Sequence, residues 1–131
     1  MNASRRPWQV AAAVWAGVIL VSGLLPTQLA VEALSGGHDT AATTAGHFAA
    51  YLLLGFLLGT ALGGLRAAWT RTLLTLALAA ALGGVVEVAQ APLPYRDAQS
   101  SDFFVNVAGA AAGLLLLSVA TRVARSRSHR G

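Results

Sequence analysis

Four apolar stretches run through the chain without a lysine or arginine inside them: Trp8 to Leu25, His47 to Leu65, Thr72 to Ala91 and Phe103 to Ala120. Each is close to the roughly 20 residues that an α-helix needs to cross the hydrocarbon core of a bilayer. Backbone groups in lipid must bond within their own segment or around a closed barrel, so stretches of this length read as helices. Of the 131 residues, 56% are hydrophobic and 11% charged, whereas a soluble domain carries about 25% charged residues. A water-facing fold would lack a surface. The expectation is an all-α polytopic membrane protein, with four transmembrane helices in a compact bundle. It forms one domain over residues 1–131 with a short basic tail from Thr121 to Gly131.

The nine basic residues are all arginines, and their positions give a direction. Arg5 and Arg6 precede the first stretch, Arg66 and Arg71 lie between the second and third, and Arg122, Arg125, Arg127 and Arg130 follow the fourth. The loops on the other side, Pro26 to Gly46 and Pro92 to Asp102, hold only Arg96. By the positive-inside rule both termini face the cytoplasm. A cleaved signal peptide is the competing account of the first stretch, with Val31-Glu32-Ala33 as a weak cleavage site, but the apolar run is too long for one. The arginines sit beside apolar segments, so the net charge of +4 reads as an orientation signal and no nucleic-acid partner is expected. The chain has no cysteine, which excludes disulfides and thiolate chemistry.

Two groups of residues stand out against this background. Gly55, Gly59 and Gly63 recur every fourth residue, as do Gly109 and Gly113, the spacing that lets helix backbones approach closely. These read as helix-packing positions, and a homo-oligomer through one of the stripes is left open. The second group is polar. Glu87 is the one acid inside an apolar stretch, and a charge at that depth needs a partner or water. Gly83, Glu87 and Gln90 share a helical face. Arg96, Asp97, Ser100, Ser101 and Asp102 follow in the next loop, and Arg96 could hold a carboxylate or a phosphate through paired hydrogen bonds. Asp102 reads first as a helix N-cap, and Asn106, Gly109 and Gly113 continue its face. His47 and Tyr51, one turn apart, complete a candidate polar layer of His47, Tyr51, Glu87, Gln90, Arg96, Asp102 and Asn106 at the outer face.

The elements Ser22-Gly23-Leu24-Leu25-Pro26, His47-Phe48-x-x-Tyr51, Glu87-x-x-Gln90 and Arg96-x5-Asp102-x3-Asn106-x2-Gly109, with Gly113, occur in an order that resembles the VanZ-like family of small bacterial membrane proteins. The family usually carries Asp-Lys ahead of the His-Phe pair, where this chain has Thr43 and Thr44. The resemblance implies about four helices in the bacterial cytoplasmic membrane, a connection to the cell envelope and, through the family's namesake, a link to resistance to the glycopeptide teicoplanin. It implies no reaction, because shared architecture does not transfer function.

Three functions compete on this reading. The first is a non-catalytic envelope protein whose outer layer binds an anionic lipid or a cell-wall precursor, Arg96 gripping phosphate while His47, Gln90 and Asn106 orient it. The second is a membrane-embedded enzyme acting on a lipid-linked phosphate or sugar, with His47 and Glu87 or Asp102 as acid and base. Ala45-Gly46-His47 is weakly similar to the Ser-Gly-His element of lipid phosphatases, but its serine is missing. The third is a small dimeric transporter in which Glu87 takes up a proton. The balance leans to a non-enzyme with membrane lipids as partners. No cofactor or metal is expected, since no His-Glu-x-x-His pattern occurs.

Overall fold

The computed structural model describes residues 5–25, 40–93 and 100–128. Among them are four helices, α1 (Arg6–Leu24), α2 (Thr40–Ala61), α3 (Ala68–Gln90) and α4 (Ser100–Ser128). All four are long and apolar enough to cross a membrane. Pro7 sits in the first turn of α1, where its missing N–H costs no intrahelical bond.

Several boundaries depart from those the sequence predicts, and α3 begins at Ala68 rather than Thr72, taking in Arg71. Helix α2 begins at Thr40 rather than His47 and ends at Ala61, before the Leu62–Gly64 turn, rather than at Leu65. Its first turns are alanine- and threonine-rich, and alanine is the best helix former available. Helix α4 continues past Ala120 to Ser128. Arg122, Arg125 and Arg127 favour a helix by propensity, and the last two sit where the helix dipole attracts cations. At 1.5 Å per residue its 29 residues span about 43 Å, longer than the roughly 30 Å hydrocarbon core is thick.

Helices α2 and α4 run in parallel and make the most extensive contact of the bundle. Their glycines explain it. A Cβ at Gly109 would lie 2.5 Å from the carbonyl oxygen of Phe48, and one at Gly113 would collide with the carbonyl oxygen of Leu52 and lie 2.7 Å from the nitrogen of Phe56. In return, a Cβ at Gly55 would strike the backbone of Ala110, and one at Gly59 would meet the side chains of Leu114 and Leu117. The two backbones therefore touch along a seam that no larger residue permits. Gly63 is different: it lies in the exposed turn after α2, and a Cβ there would meet only the backbone of Thr60 and Gly59 in its own chain.

Helix α1 packs on α2 and α3, and α3 closes the ring against α4. The indole Nε1 of Trp15 donates to the carbonyl of Ala50 at 2.9 Å, fixing α1 to α2. Ile19, Tyr51, Leu54, Ala79, Val86 and Ala110 form the buried centre. The outside is widely apolar: Val10, Val14, Val18, Leu73, Leu74, Leu78, Leu115, Leu116 and Val119 are exposed, whereas the polar Thr75, Gln90 and Asn106 are buried. Such faces are stable against lipid tails rather than water. Exposed Trp8 and Trp69 lie at the arginine-rich end, and tryptophan is enriched where membrane proteins meet lipid head groups.

Candidate functional site

The up-and-down course of the chain brings the end of α1, the start of α2, the end of α3 and the start of α4 to one end of the bundle. Arginines gather at the other, where the side chain of Arg5 lies against Gly64 of the α2–α3 turn. Of the polar residues picked out by the sequence, His47, Tyr51, Glu87, Gln90, Asp102 and Asn106 belong to the first end, and His47, Asp102 and Asn106 are joined by specific contacts.

His47 faces α4. Its Nδ1 lies 3.3 Å from Oδ1 of Asn106, and because that oxygen only accepts, the imidazole donates. The other ring nitrogen, Nε2, lies 3.9 Å from Oδ2 of Asp102, an ion pair when the ring is protonated. Asp102 is a first-turn residue of a helix that starts at Ser100, so it is not the N-cap; it faces the imidazole, and its charge favours the positive end of the helix dipole. The face Asp102, Asn106, Gly109, Gly113 thus reads continuously along α2, polar contacts first and close backbone contacts below.

Tyr51 sits one turn below His47 and is 2% exposed, its hydroxyl without a hydrogen-bond partner. The reason it fits is Gly83 of α3. A Cβ at that position would lie 3.2 Å from Nδ2 of Asn106 and 3.4 Å from the Tyr51 hydroxyl, so the glycine leaves a notch into which both groups point. Glu87, one turn further along α3, has a buried Oε1 that also has no partner. Hydroxyl and amide N–H from α2 and α4 therefore meet at a glycine of α3, with the Glu87 carboxylate one turn along that helix.

Gln90 makes a different contact. Its Nε2 donates to the carbonyl of Gly23 at 2.7 Å and ties α3 to α1. A Cβ at Gly23 would lie 2.8 Å from Cγ1 of Val86, so that glycine is what lets the helices approach. The acceptor is a backbone atom, which side-chain chemistry in the sequence cannot reveal; its only signal is a glycine next to the end of an apolar stretch. Arg96, and with it any pairing to Glu87 or Asp102, lies outside the described residues.

An apolar groove of about 690 Å³ adjoins this layer on the α2–α4 face, lined by Ala41, Thr44, Ala45 and Phe48 of α2 and Val105 and Ala108 of α4. Among the described residues no three His, Cys, Asp or Glu side chains gather as a metal set.

A bundle of four membrane-length helices with arginines at one end and a His47–Asn106–Asp102 cluster at the other defines a small multi-pass membrane protein. The VanZ/LLP1 family model matches residues 4–121, and the chain belongs to that family. No curated protein matches the chain, and no solved structure does.

Proposed function

We propose that the protein is a non-catalytic cell-envelope protein that holds the head group of an anionic lipid, or of a lipid-linked cell-wall precursor, in its polar layer. The observation that carries this reading is the buried Tyr51 hydroxyl left without a partner beside Asn106 Nδ2 at the Gly83 notch, with the unpartnered Glu87 Oε1 one turn along α3. A buried polar atom without a hydrogen bond costs about 1–3 kcal/mol; a head group's oxygens would accept from the Tyr51 hydroxyl and Asn106 Nδ2, and a head-group hydroxyl would donate to Glu87 Oε1. Arg96 is the proposed grip on phosphate. Family membership supports an envelope setting, and resistance to a glycopeptide such as teicoplanin would follow if the held lipid were a cell-wall precursor.

The test is copurification. Arg96→Ala should insert and fold normally yet carry about tenfold less anionic lipid through purification, as expected for the loss of about 1.4 kcal/mol of binding. An unchanged lipid complement counts against the proposal.

The same reading places the layer at the outer face of the bacterial cytoplasmic membrane with both termini inside, as the arginine distribution supports. The cysteine-free chain gives a clean background for checking this. In intact cells an impermeant thiol reagent should label Ala91→Cys, at the polar end, and leave Ser126→Cys unlabelled until the membrane is opened. The opposite pattern would turn the layer to the cytoplasm.

A further inference from the structure

We propose that the arginine-rich end of the bundle carries a second lipid site, independent of the polar layer, in which Arg71 and Arg5 hold the phosphate of an anionic phospholipid beside the α2–α3 turn. Arg71 stands near the start of α3, half-buried, with its Nε enclosed and without an acceptor. One turn further along, Thr75 is 0% exposed and its hydroxyl also has no partner. Residues four apart share a helix face and Cβ bonds tilt toward the N-terminus, so the threonine side chain leans toward the Arg71 turn. Helix α3 opens there on Ala67, which gives no side-chain cap, so this positive end of the helix lacks a side-chain acceptor of its own.

The chain supplies no counter-charge at this end. Arg5 is brought to the same turn, its guanidinium lying against Gly64, and exposed Arg66 follows two residues on. The carboxylate side chains belong to the opposite end: Glu32, Asp39 and Asp97 fall between α1 and α2 or between α3 and α4 in the sequence, with Glu87 and Asp102 near the adjoining helix ends. Glu87, on the same helix as Arg71, is about 24 Å away along the axis. Among the described residues neither Arg5 nor Arg71 forms an ion pair. A half-buried cation in a membrane bundle needs a partner, and a phosphodiester offers the missing charge together with oxygens that accept from guanidinium, hydroxyl and helix N–H groups. The lipid is the source of that phosphate because the turn joins two membrane-length helices and Trp69, 68% exposed, stands beside it as a head-group-level residue.

The experiment titrates the full chain, in a neutral detergent, with short-chain phosphatidylglycerol and counts bound lipid by native mass spectrometry at an ionic strength that screens distant charges. Arg71→Gln should weaken binding about tenfold, the scale of a charge-assisted pair. Arg125→Gln, the same change of charge in the exposed tail, should alter it by less than about twofold. Gly64→Ala keeps every charge. Gly64 is exposed and its φ lies outside the left-handed region, so alanine is accommodated by the backbone, but its Cβ would collide with a terminal nitrogen of Arg5 and turn that guanidinium aside. Binding should then fall about fivefold, the scale of one partly exposed ion pair. Far-UV circular dichroism verifies that each variant folds.

Equal losses from Arg71→Gln and Arg125→Gln would reduce this end to a diffuse positive surface and overturn the site. Gly64→Ala without effect would overturn the paired grip by Arg5 and Arg71. Displacement of the lipid by excess inorganic phosphate would give the site to a free anion instead of a lipid. Repeating the titration on Asn106→Leu separates this site from the polar layer: the dependence on Arg71 should persist there, and its disappearance would mean that the lipid counted was held at the other end.

Discussion

Valine in place of Gly113 is expected to part α2 from α4 and cost the bundle at least about 3 kcal/mol, the upper range for overpacking a core. A Cβ at Gly113 would run into the Leu52 carbonyl oxygen and lie 2.7 Å from the Phe56 nitrogen. These are backbone atoms of an intact helix, so no rotamer change relieves the overlap and the whole of α2 must shift. The seam it would break is the most extensive in the molecule. Valine at Gly17, where a Cβ meets nothing within 4 Å, is the matched control and should stay within about 0.5 kcal/mol of the parent. Unfolding by sodium dodecyl sulfate in mixed micelles, followed by far-UV circular dichroism, compares the two. Equal stabilities would mean that the glycines do not set the helix spacing.

Asn106→Leu should separate folding from ligand binding. The asparagine is 3% exposed, accepts from His47 and presents its amide nitrogen to the Gly83 notch. Side-chain hydrogen bonds between membrane helices average about 0.6 kcal/mol, and leaving the imidazole N–H unpaired adds about 1–3 kcal/mol at most. Leucine keeps the branched outline, so the fold should survive with a loss of about 2 kcal/mol. Retention of anionic lipid should fall by about tenfold or more, because the variant removes a donor that lines the notch and frees the imidazole beside it. If stability falls by several kcal/mol while lipid retention follows only the folded fraction, Asn106 is a structural tie and no more.

The glycine seam shows what a sequence of this kind makes legible. Gly109 and Gly113 were identifiable by spacing alone, because only a residue without a Cβ allows this backbone contact, and α4 uses them that way. Gly63 has the same spacing but falls beyond the end of α2, since spacing says nothing about where a helix stops. The polar residues were equally visible: burying Asn106, Gln90 or Glu87 among apolar side chains is unfavourable enough to mark each of them. Their partners were less so. Gln90 bonds a backbone carbonyl at Gly23, and Asp102 faces His47 across two helices instead of capping its own. Both facts depend on how helices are rotated against one another, and that rotation follows from close contacts such as Gly23 on Val86. The trough beside Phe48 was out of reach for the same reason, its walls being alanines, a threonine and a valine with no chemistry to announce them.

Native mass spectrometry of the protein released from its own membrane bears most directly on the head-group site. A single class of anionic or lipid-linked phosphate should remain bound in a fixed ratio to the protein and disappear from the Asn106→Leu variant. A lipid complement that mirrors the bulk membrane, with no species in fixed ratio and no difference between the two proteins, would contradict it.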